Sequence, residues 1–303
     1  MSTPTPFQRT ARSRDRRRRW YRHSGCTAGP AAGRPGPGGK GADPRRGPGA
    51  APVAAGDRGG LRGCPRPSQS RRRGADTVIS AVHGFAGPGR VSPATVDRAG
   101  NSHLIDAVDR IGAAFVLISL VGTAPDHPIG LFRAKYAAEQ ALRASGISWT
   151  IVRATAFMET WGKIMEQSRK ASGKILVFGR GTNPVNFVSA TDVATLVSHA
   201  VVTRGLRSQV LEIGGPDNLT FDQVASLLQE TIGSAATVRH IPRLALHAMA
   251  MATAGLKPEL ARQARAALAM DAIDMTFDPS RIRRAFPQLP NTDMATALKA
   301  LLA

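Results

Sequence analysis

From residue 75 onward, short apolar runs alternate with segments of helical periodicity, and this alternation constrains the fold more than any other feature. Apolar runs of strand length occur at 77–82, 115–119, 149–153 and 210–213. Between and after them, apolar residues three and four positions apart predict helices at about 96–111, 130–144, 192–203 and 221–232. Strands joined through helices form right-handed βαβ crossovers. The pattern therefore predicts an α/β fold with a doubly wound parallel sheet, covered on both faces.

Residues 1–74 have a different composition. They hold 18 of the 41 Lys and Arg residues but only three of the 21 acidic residues, together with many Gly and Pro. Such a segment cannot bury a core, so we predict a disordered basic arm over 1–74. A basic arm suggests contact with nucleic acid or an acidic membrane, and the alternative is a solvated tail with no function. Cys26 and Cys64 have neither zinc-site spacing nor a disulfide framework.

Ligands of an open parallel sheet bind beyond the carboxyl ends of its strands. In this chain those ends fall at about 82–83, 119–120 and 155–157. A doubly wound dinucleotide fold also needs a first strand and a Gly-rich turn, whose backbone N–H groups hold the pyrophosphate. No such strand and turn precede residue 77 in the sequence. The N-terminal βαβ unit is therefore missing from the expected fold.

Several segments, in the right order, resemble the NmrA-like, atypical branch of the short-chain dehydrogenase/reductase superfamily. They are Val96-Asp97-Arg98-Ala99-Gly100-Asn101, 115–119, Ala134-Lys135 with Glu139, 148–153, Phe157-Met158-Glu159, 186–189, 192–194, 214–220 and Phe277-Asp278. The resemblance implies a Rossmann-like NAD(P)-binding domain over 75–303. It also implies a small C-terminal substrate lobe, formed mainly by about 157–186 and 215–303. The cofactor would be NADP or NAD.

The resemblance implies a set of cofactor-binding positions, namely Ala81, Val82, Ser119, Lys135, Thr155 and Phe157. In the wider superfamily a Tyr four residues before a Lys transfers the proton, and the Lys holds the nicotinamide ribose. Lys135 matches that Lys, but Leu131 stands at the Tyr position and Leu120 at the Ser position. By resemblance, Lys135 is then a ribose anchor or the general acid/base. The alternative is an exposed ion pair between Lys135 and Glu139.

The genetic code suggests what happened to the missing unit. Read one base forward, codons for residues 15–25 can encode Ile-Val-Val-Val-Gly-Gly-Thr-Gly-Thr-Leu-Gly, a strand leading into a dinucleotide turn. The Gly from Trp20 and Tyr21 is forced by the code, whereas the other positions are permitted. We infer that residues of about 15–73 are an out-of-frame translation of the missing βαβ unit.

Three functional interpretations remain open at this point. The first is an NAD(P)H-dependent oxidoreductase for a small, quinone-like or aromatic substrate. The second is a sensor that binds the dinucleotide without turnover, and the third is an inactive product of a frame-disrupted gene. We expect a small-molecule substrate, a cytoplasmic location, and neither a metal, a membrane span nor a specific nucleic-acid partner.

Overall fold

The computed structural model describes residues 75–303, which all belong to one compact unit. The predicted arm 1–74 and the proposed out-of-frame segment lie outside the described residues. In chain order the elements are β1 (Thr77–Ser80), a π-helix (Pro93–Gly100), α1 (Asn101–Asp109), β2 (Ala114–Leu120), α2 (Gly130–Ala144), β3 (Trp149–Ala154), β4 (Ala156–Phe157), α3 (Met158–Ser172), β5 (Lys174–Phe178), β6 (Val185–Val188), α4 (Ala190–Val202), a 3₁₀ turn (Arg204–Leu206), β7 (Gln209–Ile213), β8 (Asn218–Leu219), α5 (Phe221–Ile232), β9 (Thr237–Ile241), α6 (Arg243–Ala252), α7 (Pro258–Met270), α8 (Ser280–Ala285) and α9 (Met294–Leu302).

The main sheet of the described unit is parallel, with strand order β1-β2-β3-β7. The register places Phe115 beside Trp149, and Val152 beside Leu211. The predicted α/β fold with a parallel sheet is thus confirmed. The first strand ends at Ser80, two residues earlier than predicted. The first helix begins earlier than predicted, since Pro93–Gly100 forms a π-helix that continues into α1.

Helices cover both faces of this sheet. On one face, α1 and α2 pack Ile105 and Leu142 against Phe115 and Ile151. On the other face, α4 packs Leu196 against Val152 and neighbouring residues. Because consecutive residues of a strand point to opposite faces, the apolar runs of β2 and β3 supply both cores.

The C-terminal part of the chain has its own apolar core, formed with α3, α5 and α9 around β5 and β6. Small strand pairs lie beside it, with β5 parallel to β9 and β6 between β4 and β8. A capping box begins α5, as the Thr220 hydroxyl accepts from the Gln223 backbone N–H and the Gln223 side chain accepts from the Thr220 backbone N–H. No helix within residues 75–303 is long and apolar enough to cross a membrane.

Candidate functional site

Lys135 is the charged residue at the carboxyl ends of the first two strands. It lies on α2 and is 4% exposed. Its ammonium donates to the carbonyl of Val82, after β1, at 2.8 Å and to the carbonyl of Ile118 in β2 at 3.1 Å. The same nitrogen lies 3.1 Å from Oδ1 of Asp97, which belongs to the π-helix. The alternative interpretation, an exposed pair with Glu139, is wrong, because Lys135 is buried and its anionic partner is Asp97.

Asp97 is completely buried and joins Lys135 to the loop after β1. Its Oδ2 accepts the backbone N–H of Gly84 at 2.8 Å. Its Oδ1 has no hydrogen-bond partner among the described residues, since the ammonium at 3.1 Å approaches outside hydrogen-bonding geometry. A side chain at position 84 would collide with the Ser92 backbone, with a Cβ 2.4 Å from the carbonyl oxygen. The loop therefore needs Gly84 to lie this close to the π-helix.

Two further buried polar residues fix this helix to β1. The Asn101 side-chain amide donates to the Asp97 carbonyl at 2.6 Å, and the Ser80 hydroxyl donates to the Asn101 side-chain oxygen at 2.6 Å. All of these groups lie inside the protein, where polar groups need partners. The position of the Asp97 carboxylate is thus set from both the strand and the helix.

Burial and nearby negative charge have opposite effects on the pKa of Lys135. Burial lowers the pKa of the Lys135 ammonium from its ordinary value, while the charge of Asp97, its contact with the ammonium and the more distant charge of Glu139 oppose that effect. The pKa of Lys135 remains below its usual range. Asp97 is therefore the main group that favours the charged form of the lysine.

One helical turn further along α2, Glu139 forms a second buried cluster. Its carboxylate accepts the hydroxyl of Ser119 at 2.5 Å and that of Thr123 at 3.2 Å. Arg153 donates two hydrogen bonds to it, at 3.0 and 2.7 Å. The Glu139 contact raises the pKa of Arg153 above its ordinary value. Ser119, predicted to contact the cofactor, is 1% exposed and directs its hydroxyl to Glu139.

Thr155 lies at the end of β3 in a third polar group. Its hydroxyl donates to the Asn186 side-chain oxygen at 2.9 Å, and that oxygen also accepts the Gly215 N–H at 2.9 Å. The Asn186 amide donates to carbonyl oxygens of Gly215 and Asp217. Gly215 is required here, because a Cβ would lie 1.9 Å from the Phe187 carbonyl oxygen. Thr155 thus helps to fix the loop that follows β7.

The remaining predicted positions are more accessible. Ala81 is exposed, Val82 is half-buried, and Phe157 is half-buried against the core on the α4 face. The structure therefore brings Val82 and Lys135 into direct contact and leaves Ser119 and Thr155 in separate polar clusters. Within residues 75–303, His, Cys, Asp and Glu form no group of three or more with the geometry of a metal site.

Sequence reasoning did not identify Asp97 as a partner of Lys135. One signal was available, since Asp97 precedes an apolar helical pattern and lies in a segment that carries the family resemblance. Asp192 lies in the first turn of α4, where a negative charge is favourable. Its buried carboxylate accepts from the Thr292 backbone and hydroxyl and from Arg283. It therefore also links α4 to the C-terminal segment.

Comparison with curated proteins identifies relatives over part of the chain. An NAD(P)H azoreductase of Xenophilus azovorans is 28% identical over 131 residues, which are 43% of this chain and 45% of that protein. A festuclavine synthase I of Penicillium roqueforti is 27% identical over 96 residues, 32% of this chain and 33% of that protein. The matched region thus spans less than half the length of these relatives.

Solved structures with the same fold cover more of the chain. An NADPH-dependent quinone oxidoreductase of Escherichia coli, in complex with NADPH, has a TM-score of 0.59 at 18% identity and covers 76% of this chain and 77% of its own. A triphenylmethane reductase of Citrobacter sp., in complex with NADP(H), has a TM-score of 0.59 at 18% identity over 75% and 77%. These similarities establish the Rossmann-like fold. The model of the NmrA-like family matches residues 71–277, more than half of the sequence, and the chain therefore belongs to the NmrA-like family.

Proposed function

We propose that this protein is an NAD(P)H-dependent oxidoreductase that reduces small, flat, electron-poor organic compounds of the quinone or azo-dye type. The observation that carries the proposal is the buried Lys135 ammonium at the carboxyl ends of β1 and β2, paired with the buried carboxylate of Asp97 at 3.1 Å. Ligands of open α/β sheets bind at this edge. The activities of the azoreductase, quinone oxidoreductase and triphenylmethane reductase support the same reaction class.

The residues at this edge fit the ribose end of a dinucleotide. An ammonium has three N–H donors, and carbonyl oxygens take two of those of Lys135. The third donor lies 3.1 Å from Asp97 Oδ1, so a ribose hydroxyl would share this contact with the carboxylate or replace it. Because Lys135 is nearly fully buried, we expect a local shift of the loop after β1 when a ligand binds. The proposed cofactor-binding positions also include Ala81, Val82, Thr155 and Phe157. Ser119 is proposed as well, but its hydroxyl would first have to give up its hydrogen bond to Glu139.

A bound nicotinamide would supply the hydride. The chain itself has Leu120 and Leu131 where a carbonyl reductase of the superfamily would need its Ser and Tyr. Reduction of an isolated ketone produces a strongly basic alkoxide, which needs an acid in the site. Hydride transfer to a quinone or a conjugated dye instead gives a delocalised product that water can protonate. The absence of the Ser and Tyr at these positions therefore favours the conjugated class of acceptor.

We propose that the substrate lobe is formed mainly by residues 157–186 and 215–303. Phe157 follows the end of β3 and offers a half-buried aromatic ring near the edge at which cofactors bind. Aromatic rings stack on flat conjugated ligands. A Phe157→Leu variant should raise KM for a quinone more than it weakens NADPH binding.

Fluorescence titration with NADPH and NADH, followed by assays with a quinone, an azo dye and a triphenylmethane dye, tests the proposal. Lys135→Ala should weaken cofactor binding or turnover by about tenfold or more, about 1.4 kcal/mol. Lys163→Ala, an exposed change on α3, is the matched control and should have no effect. Micromolar NADPH binding without reduction of any acceptor would instead support the sensor, which the Leu residues at positions 120 and 131 suit equally well.

A frame-restored version of the chain tests the frame hypothesis. We expect a protein with the other reading frame restored between about codons 15 and 73 to bind NAD(P)H far more tightly than the chain as written, because a Gly-rich turn supplies backbone N–H groups to the pyrophosphate. If both proteins bind NADPH equally well, the frame hypothesis is wrong. If only the restored protein binds, the chain is the inactive product of a disrupted gene.

A further inference from the structure

Asp97 is the fully buried acid that pairs with Lys135, and its own task in the site follows from its contacts. It is a fully buried carboxylate, yet one of its oxygens has no hydrogen bond among the described residues. It also lies within a π-helix, a rare conformation that is frequent at functional sites. Burying a carboxylate costs free energy unless the charge is paired. Its nearest charged neighbour is Lys135.

The groups that face Lys135 come from four elements or their adjoining loops. The carbonyls of Val82 and Ile118 come from the end of β1 and from β2. The Asp97 carboxylate belongs to the π-helix and contacts the ammonium. The Glu139 carboxylate lies one turn further along α2 and affects Lys135 only through its charge. Ser119, Thr123 and Arg153 already occupy the Glu139 carboxylate. Asp97 is therefore the anion that balances the lysine, and the carbonyls fix the direction of its ammonium.

The same carboxylate also fixes the loop that begins the site. Through its other oxygen, Asp97 holds the N–H of Gly84, two residues after the carbonyl that Lys135 binds. One side chain thus controls both the lysine and the backbone of residues 82–84. A surface ion pair would leave both of these free to move.

We propose that Asp97 is a positioning residue of the dinucleotide site, which keeps Lys135 charged and directed at the ends of β1 and β2 and holds the 82–84 loop against it. This role rests on the proposed function. Asp97 acts through Lys135 and Gly84 and does not itself transfer a proton or contact the reacting atoms. Ser80 and Asn101 support it by fixing the π-helix to β1.

The test is the pH dependence of NADPH affinity in the full chain, measured by fluorescence between pH 6 and pH 10. In Asp97→Asn, the amide still accepts the Gly84 N–H, but the charge that favours the Lys135 cation is gone. Affinity should therefore fall with rising pH, by about tenfold across the range, and the fall should begin at a lower pH than in the wild type. Asp192→Asn, the same change at another fully buried acid, is the control and should keep the wild-type profile.

A second variant separates positioning from a general loss of structure. In Asp97→Asn with Lys135→Arg, the cation no longer titrates in this range, so the pH dependence should disappear even if affinity stays low. If Asp97→Asn does not fold, the wild-type protein with ¹³C-labelled lysine gives the answer. The Lys135 ¹³Cε signal should titrate at a pH below those of the exposed lysines and should shift on addition of NADPH.

The outcomes are distinguishable. A wild-type protein that binds NADPH, together with an Asp97→Asn variant whose pH profile is unchanged, overturns the positioning role and leaves the proposed function intact. A wild-type protein that binds no NADPH at any pH overturns the proposed function and this role with it. A wild-type Lys135 signal that is already that of the neutral amine at pH 7 contradicts the role, because Asp97 would then fail to keep the lysine charged.

Discussion

The clusters around Lys135 and Glu139 lie one turn apart on α2, and both centre on a buried charge, but they are balanced in opposite ways. Lys135 has a single anionic partner, Asp97, and two backbone carbonyls. Glu139 has two hydroxyl donors and the guanidinium of Arg153. A buried charge with several partners tolerates the loss of one, whereas a charge with one partner does not. We therefore expect the Lys135 cluster to be the more sensitive of the two to the loss of its anionic partner.

The largest effect should follow removal of the single partner. Asp97→Ala leaves a buried ammonium without an anion and removes the acceptor of the Gly84 N–H, so the free energy of unfolding should fall by about 3–5 kcal/mol. Urea denaturation followed by circular dichroism measures the change. Adding Lys135→Met to Asp97→Asn should recover part of the loss seen in Asp97→Asn alone, since the unpaired cation is gone. A double variant that is less stable than Asp97→Asn would contradict the pairing.

The Glu139 cluster should respond more weakly when only the charge of its carboxylate is removed. Glu139→Gln keeps an acceptor for Ser119, and Arg153 retains its second partner, Glu212, at 3.1 Å. The loss should be about 1.5–3 kcal/mol, the range for a hydrogen bond to a charged group. The same urea denaturation measures it. A loss larger than that of Asp97→Ala would reverse the comparison between the two clusters.

Asp271, directly after α7, is a third buried charge, and like Glu139 it has more than one partner. Burial acts to raise its pKa, but hydrogen bonds from Arg243 and Arg180 outweigh that effect and hold the pKa below its ordinary value. Because the folded-state pKa is depressed, this stabilisation is fully present above about pH 5 and is lost as the pH falls below about 4.

Asp271→Asn should therefore flatten the acid limb of the stability curve, measured as Tm between about pH 3 and pH 6. Above pH 6, Arg243→Ala should lower the free energy of unfolding by only about 1 kcal/mol, because Arg180 remains paired with Asp271. This loss corresponds to a fall in Tm of a few degrees. An acid limb that is identical in Asp271→Asn and in the wild type would show that other carboxylates control it.

The two clusters also differ in how far they could be predicted. The periodicity of residues 130–144 is local, and the structure has α2 at these bounds. The role of Lys135 was inferred from the family resemblance and stays a prediction. The partner of Lys135 could not be found from local periodicity, because Asp97 lies in a different helix and meets Lys135 only after β1, β2 and the π-helix have packed together.

Other parts of the fold show the same limit. The strands β5 and β9 pair in parallel although more than fifty residues separate them, and neither was predicted. These two segments form strands because they pair with each other, since the tendency of a residue to adopt a β-strand depends on the neighbours it packs against. Local apolar patterns thus predicted the main sheet, while polar contacts between distant segments, including Thr155 with Asn186, required the structure.

The smallest effect should come from the outermost partner of Glu139. Arg143 lies 3.6 Å from the Glu139 carboxylate, is 37% exposed, and its guanidinium also lies 5.7 Å from the centre of the Trp149 ring. The carboxylate already has closer donors, so Arg143→Ala should cost only about 0.2–1 kcal/mol. Arg143→Lys keeps the positive charge beside Glu139 but removes the planar guanidinium above the Trp149 ring. Comparing it with Arg143→Ala therefore separates the ionic contribution to stability from the aromatic one. Urea denaturation at low and high salt checks this, since salt should weaken the ionic part of a pair whose Arg143 side chain reaches solvent. A loss close to that of Glu139→Gln would mean that Glu139 depends on one partner after all, as Lys135 does.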